Sequence, residues 1–200
     1  MLSLLPDPPS PAASPSGPEP AVLAALARGD VDGALSLLMR AYGSAVYRYC
    51  RQMTGDEDLA QEAQQMTFVQ AHEGLPRFAR RSSLRTWLFG IARHRCLDLL
   101  KTTRRRWQRF GPIAETPEVP VPEDSVEQRL AGRSLARALE SCLRGLTPRV
   151  RDALLLRFQQ GLSYPEIARL SEEKAATLQI RVARALPVLR RCLEDKGMAP

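Results

Sequence analysis

The chain has 200 residues, 12 glycines, 6% aromatics and a formal charge of +7. Its richness in Ala, Leu and Arg favours helices over sheet, and its basicity favours an acidic partner. The longest apolar run, Ala21 to Ala27, is far short of the roughly 20 residues needed to span a bilayer.

The first residues, MLSLLPDPPSPAAS, lack a basic leader and are broken by prolines, so no signal peptide is expected. Residues 1 to 20, crowded with proline and serine, predict a disordered tail. From Ala21 the pattern becomes helical. Leu38, Ala41, Tyr42, Ala45, Val46, Tyr49 and Met53 recur at steps of three and four, predicting an amphipathic helix that ends near Gly55. A second helix is expected from about Asp56 to Gly74, and a third from Ser82 to about Arg106.

Residues 107 to 127 contain four prolines and five acidic residues against one arginine, which predicts a linker. Such an acidic strip either folds back on its basic neighbours, threads a basic channel in a partner, or is a solvated spacer. From Ser134 helices resume, with a stripe of Leu135, Leu139, Cys142, Leu143 and Leu146. Thr147-Pro148 predicts an N-cap followed by proline at the first helical position, and Gly161 closes that helix. Ser163 with Glu166 forms a capping box for a short helix through Leu170. A last helix is expected from about Lys174 to Leu193, kinked by Pro187 near Ala183 to Leu186.

The fold class that emerges is all-α: two small helical domains, 21–106 and 128–196, on a flexible linker. The four cysteines, 46 to 50 residues apart, fit neither a zinc site nor a close-set disulfide scaffold. They predict reduced, mostly buried thiols in a cytoplasmic protein.

Two constellations carry chemistry. The last two helices read as a helix-turn-helix, with Leu178, Val182, Ala185, Leu186 and Leu189 facing inward. Thr177, Ile180, Arg181 and Arg184 face a major groove, where arginine pairs with guanine and isoleucine meets a thymine methyl. An ordinary amphipathic helix with a solvated basic face explains the same pattern. In the third helix, Trp87, Gly90, His94 and Lys101 share one row within a stretch of ten cations and one acid. Trp87 would stack a base and Gly90 would admit one near the backbone, although a tryptophan is more often core. Arg104, Arg105 and Arg106 suit phosphates. No phosphate loop, HExxH, GxSxG or credible catalytic triad is present, so neither an enzyme nor a cofactor or metal site is expected.

Together these motifs resemble the RNA polymerase sigma factors of the extracytoplasmic-function type. The resemblance spans roughly residues 21 to 195. It is carried by RFARRSSLRTWLFGIARHRCLDLLK (Arg77 to Lys101), by the lead-in ARGDVDGALSLLMRAYGSAVYRYCRQMTGD, and by GLSYPEIARL in the second module. It implies that the first module binds core RNA polymerase and opens the minus-10 element of promoter DNA, while the second reads the minus-35 element. It also implies an anti-sigma factor, often membrane-bound, wedged between the modules.

By the same resemblance the polymerase-binding helix is AQEAQQMTF, with Glu62, Gln65, Thr67 and Phe68 as contacts. The minus-10 loop is Ala79 to Ser83, including Arg80, Arg81, Ser82 and Ser83, and His94 stands where Asn is usual. In the second module Gln179 and Ile180 replace a basic and a hydroxyl residue, and Glu172 replaces the turn glycine. A helix-turn-helix regulator that never enters the polymerase is the competing reading. It leaves the Trp87 stretch and the Gln65 helix without a role.

Overall fold

The computed structural model describes residues 17–110 and 128–198. Most of the expected tail and of the expected linker lie outside that range. Every regular element within it is helical.

Four helices build the first module. α1 (Glu19–Ala27) begins inside the segment expected to be disordered, with a proline in its first turn. α2 (Val31–Thr54) starts where the Asp30 carboxylate accepts the Gly33 amide at 2.8 Å. It stops at Gly55, whose φ of 73° only glycine adopts without strain. α3 (Glu57–Gly74) is capped by Asp56, which accepts from the Leu59 amide at 2.9 Å.

A single turn of 3₁₀ helix (Leu75–Arg77) then leads to α4 (Leu84–Phe110). The Ser83 hydroxyl accepts the Thr86 amide at 3.0 Å, and Glu19 of α1 accepts the Leu84 amide at 3.2 Å. α4 runs four residues past the expected start of the linker, because no helix breaker occurs before Gly111-Pro112.

α2 packs on α1, α3 and α4 around Leu38, Val46, Tyr49, Met53, Phe68, Leu84, Leu88 and Phe89. The Tyr49 and Phe89 rings meet edge to face, 5.6 Å between centroids. Each fully buried Leu or Phe here contributes about 1.5–3 kcal/mol of transfer free energy.

The second module opens with α5 (Gln128–Arg144), six residues ahead of expectation. Ala138, Cys142 and Leu143 are buried on it, whereas Leu135, assigned to the same stripe, is 49% exposed. α6 (Pro148–Leu154) has Thr147 at its N-cap with extended backbone, but the hydroxyl makes no capping hydrogen bond. Its continuation, a π-helical turn (Leu155–Gln159), leads to Gly161 at φ 65°. α7 (Tyr164–Ser171) carries the full capping box: Glu166 accepts the Ser163 amide at 2.8 Å, and the Ser163 hydroxyl accepts the Glu166 amide. α8 (Ala175–Asp195) buries Leu178, Val182 and Ala185 and continues through Pro187.

The turn between α7 and α8 places Glu172 at φ 56°, ψ 32°, the left-handed region that favours glycine. Glu172→Gly is therefore expected to stabilise the protein by about 0.5–1 kcal/mol. A thermal melt checks this, and an unchanged or lower midpoint would count against strain at that turn.

The cysteines depart from the expectation of four reduced thiols. Cys50 and Cys96 are free and buried in the first module, but Cys142 of α5 and Cys192 of α8 form a disulfide. Fifty residues separate them in sequence, yet the packing of α5 on α8 brings their Cα atoms to 5.9 Å. Linear spacing carries no trace of that proximity.

Candidate nucleic-acid interface

The two modules dock directly on one another, and their buried side chains form one continuous cluster. The contact is built around Asp152 of α6, which is 3% exposed. Its carboxylate accepts from the Tyr49 hydroxyl of α2 at 2.8 Å and from Arg93 Nε of α4 at 2.6 Å. Burial pushes the Asp152 carboxyl above its usual range, against the pull of Arg93 and Tyr49. Arg93 also donates to the Leu170 carbonyl at 3.1 Å, and Thr86 of α4 donates to Glu166 at 2.8 Å. Burial raises Glu166, but the Ser163 and Thr86 hydrogen bonds outweigh it and hold the carboxyl below its usual range.

Around this knot, Gln159 donates to Gln52 at 2.6 Å and Arg51 pairs with Glu140 at 2.6 Å. Arg151 is buried without a carboxylate. Its guanidinium caps helix ends instead, donating to the carbonyls of Leu143, Arg144 and Leu146 and, across the interface, to Met53 at 2.6 Å. Apart from Tyr49, read as part of a helical stripe, and Glu166, read as a helix cap, none of these residues stood out in the sequence, and none was legible as an interface residue until the fold supplied its partner from 59 to 107 positions away.

Of the residues expected to bind the polymerase, Glu62 and Gln65 are exposed on α3. Gln65 and Phe68 line an open cavity of about 590 Å³ between α2 and α3, together with Leu35, Met39, Val69 and His72. Met39, Met66 and Val69 are 46%, 37% and 62% exposed, an apolar surface the chain itself leaves uncovered. Thr67 is not part of that surface. It is fully buried, and its hydroxyl donates to the Ala63 carbonyl at 2.6 Å, so it shapes α3 from inside.

Of the minus-10 set, Arg80 and Arg81 stand exposed on the loop before α4, with Arg80 at φ 55°. Ser82 is half-buried, and Ser83 is committed to capping α4. Trp87 is half-buried and packs on Phe78 at 5.2 Å between centroids and over Gly74. Part of its surface remains exposed. His94, Lys101 and Arg105 are exposed along α4, with Lys101 3.5 Å from Asp98. The side chains of Arg104 and Arg106 lie outside the described ones.

Gly90 does not offer an open approach to a base. Leu170 of α7 fills the space, and a β-carbon at Gly90 would lie 2.8 Å from it.

On α8, Thr177, Gln179, Ile180 and Arg184 are exposed, Ile180 by 53%. Arg181 is not free. Both of its terminal nitrogens bond the Glu173 carboxylate in the turn, at 2.9 Å for the Nη1–Oε1 pair. Arg181 must exchange this partner to touch a base. The arrangement thus presents a basic helix, a basic loop beside an aromatic edge, and a separate apolar groove. It brings no catalytic constellation together among the described residues.

The family described as Sigma-70 region 2 matches residues 38–106, and the family described as Sigma-70, region 4 matches residues 136–186. The probable RNA polymerase sigma-C factor of Mycobacterium bovis is 33% identical over 158 residues, covering 78% of this chain and 81% of that protein. The ECF RNA polymerase sigma factor SigX of Bacillus subtilis is 31% identical, covering 79% and 82%. Among solved structures, CnrH in complex with the cytosolic domain of CnrY superimposes with a TM-score of 0.64 at 25% identity, covering 90% of this chain and 99% of that one. RpoE bound to the anti-sigma factor NepR, from Bartonella quintana, shares the fold with a TM-score of 0.65 at 22% identity. With both conserved regions present in order and relatives similar over most of their length, this chain belongs to the ECF RNA polymerase sigma factors.

Proposed function

We propose that this sigma factor engages core RNA polymerase through the groove between α2 and α3, with Glu62, Gln65 and Phe68 at its contact. The observation that carries this is the uncovered apolar surface of Met39, Met66 and Val69 beside Gln65 and Phe68, on a bundle whose other faces are paired or charged. Arg80, Arg81, Ser82, Trp87, His94, Lys101 and the cations at 104–106 then hold the opened minus-10 strand, while Ser83 and Thr67 support the scaffold. Thr177, Gln179, Ile180, Arg181 and Arg184 read the minus-35 duplex. Catalysis belongs to the polymerase, and the factor supplies promoter choice.

The protein works in the cytoplasm, where a sigma factor meets core RNA polymerase and promoter DNA. RpoE is bound to the anti-sigma factor NepR and CnrH to the cytosolic domain of CnrY, and we infer that an anti-sigma factor also binds this protein.

Run-off transcription with purified core polymerase tests the proposal. The wild type is expected to support initiation, and Val69→Asp to weaken core binding roughly ten- to a hundredfold, since it buries a charge in an apolar contact. Val69 is exposed, so the fold survives the change. A protein that binds DNA alone yet never supports initiation would be a helix-turn-helix regulator instead.

A further inference from the structure

The second module is small, and its buried side chains are mostly Leu, Val, Ile and Ala, with none larger than leucine apart from Arg151, Arg157 and Gln160. Modules of this size gain much from a covalent staple. The Cys142–Cys192 bond closes a loop that contains α6, α7 and nearly all of α8, the entire helix-turn-helix. It ties down the part of α8 that is otherwise least secured. Pro187 lies five residues before Cys192 and donates no backbone hydrogen bond. Beyond Ala185 no residue of α8 is fully buried.

The two sulfurs differ in access. Cys142 is 4% exposed, whereas Cys192 is half-buried near the end of α8, so Cys192 is the more accessible of the two to a small disulfide. The other two cysteines form an internal contrast. Cys50 and Cys96 are fully buried and adjacent, and the hydrogen bond with Cys50 together with desolvation pushes the Cys96 thiol well above its usual range.

We propose that Cys142 and Cys192 are a thiol–disulfide exchange site whose oxidant is a low-molecular-weight disulfide, and that the state of this bond sets the stability of the helix-turn-helix module. The Cys192 thiolate attacks one sulfur of the small disulfide and expels the first small thiolate. Deprotonated Cys142 then attacks Cys192 in the mixed disulfide and expels the second. Two electrons pass from the protein sulfurs to the oxidant's single S–S bond, and the two thiol protons end on the two released thiols. Excess reduced thiol reverses both steps. In a cytoplasmic protein such a bond is expected to be regulatory rather than permanent.

The test equilibrates the full-length protein with reduced and oxidised glutathione at graded ratios, quenches with acid, and counts thiols by alkylation after denaturation. The wild type is expected to pass from two to four reactive thiols in one two-electron transition, with peptide mapping assigning the bond to Cys142 and Cys192. Its thermal midpoint should be roughly 8 °C or more higher in the oxidised state. The Cys142→Ser/Cys192→Ser double variant should show two thiols and one midpoint at every ratio. Four reactive thiols throughout, a bond between Cys50 and Cys96, or equal midpoints for oxidised and reduced wild type would each overturn the proposal. The wild-type comparison decides it even if the double variant folds poorly.

Discussion

Replacing Arg93 by alanine is expected to release the second module from the first. The change leaves the Asp152 carboxylate buried with only the Tyr49 hydroxyl to satisfy it. Breaking one side of a buried pair costs about 3–5 kcal/mol, which corresponds to a docking equilibrium weakened by more than a hundredfold. Asp152→Ala should do the same from the other side, stranding Arg93 and the Tyr49 hydroxyl. Asp152→Asn should behave differently. Because burial already pushes the Asp152 carboxyl upward, the charge itself adds little net stability, and an amide oxygen can still accept from both donors. Small-angle scattering reads the outcome as an increased radius of gyration for Arg93→Ala and Asp152→Ala, with Asp152→Asn close to wild type. An expanded Asp152→Asn, or compact alanine variants, would show that docking rests on the apolar contacts and not on this knot.

The second large effect concerns Arg151, which is 6% exposed and donates to five backbone carbonyls at the ends of α2 and α5 and in the turn before α6. Each hydrogen bond to a charged donor contributes about 1.5–3 kcal/mol, and the five share one guanidinium and do not add. Burial and the nearby Arg144 work against the charge and lower its pKa. The balance points to a loss of roughly 3 kcal/mol for Arg151→Met, a large share of the 5–15 kcal/mol that typically holds a protein folded. Arg151→Lys should recover less than half, because an ammonium cannot reach carbonyls that surround a planar fork. Urea unfolding followed by circular dichroism measures both, and a shift under 1 kcal/mol for Arg151→Met would mean that water replaces the guanidinium.

The local grammar of the chain was legible because its signals act over three or four residues. Asp56 and Ser163 with Glu166 begin helices where their spacing says they should, and Gly55 and Gly161 end them. Even the strain at Glu172 follows from a glycine-type turn occupied by glutamate. What escaped were relations between distant residues. Nothing in the sequence singles out Asp152 or Arg93, and Gly90 reads as an open approach until Leu170 arrives from the other module. Cys142 and Cys192 look isolated in a row of four evenly spaced cysteines. The exposed positions of His94 and Lys101 on α4 were readable from charge and periodicity, and those of Arg80 and Arg81 only through the family resemblance, whereas the pairing of Arg181 with Glu173 depends on a turn geometry that periodicity does not encode.

The capping box of α7 has a bearing on how the modules part. Glu166 grips Thr86 across the interface, yet its tighter attachment is to Ser163 in its own helix. Arg151 likewise reaches Met53 while keeping three carbonyls at home. When the modules separate, these groups lose one partner and retain their local duties, so the reader helix leaves with its foundations intact. Asp152 has no such domestic partner among the described residues, and neither have Tyr49 and Arg93, which meet it from the other side, nor the Arg51–Glu140 pair. The interface therefore behaves as a press-stud whose catches let go together, and each half remains a finished object on either side of the opening.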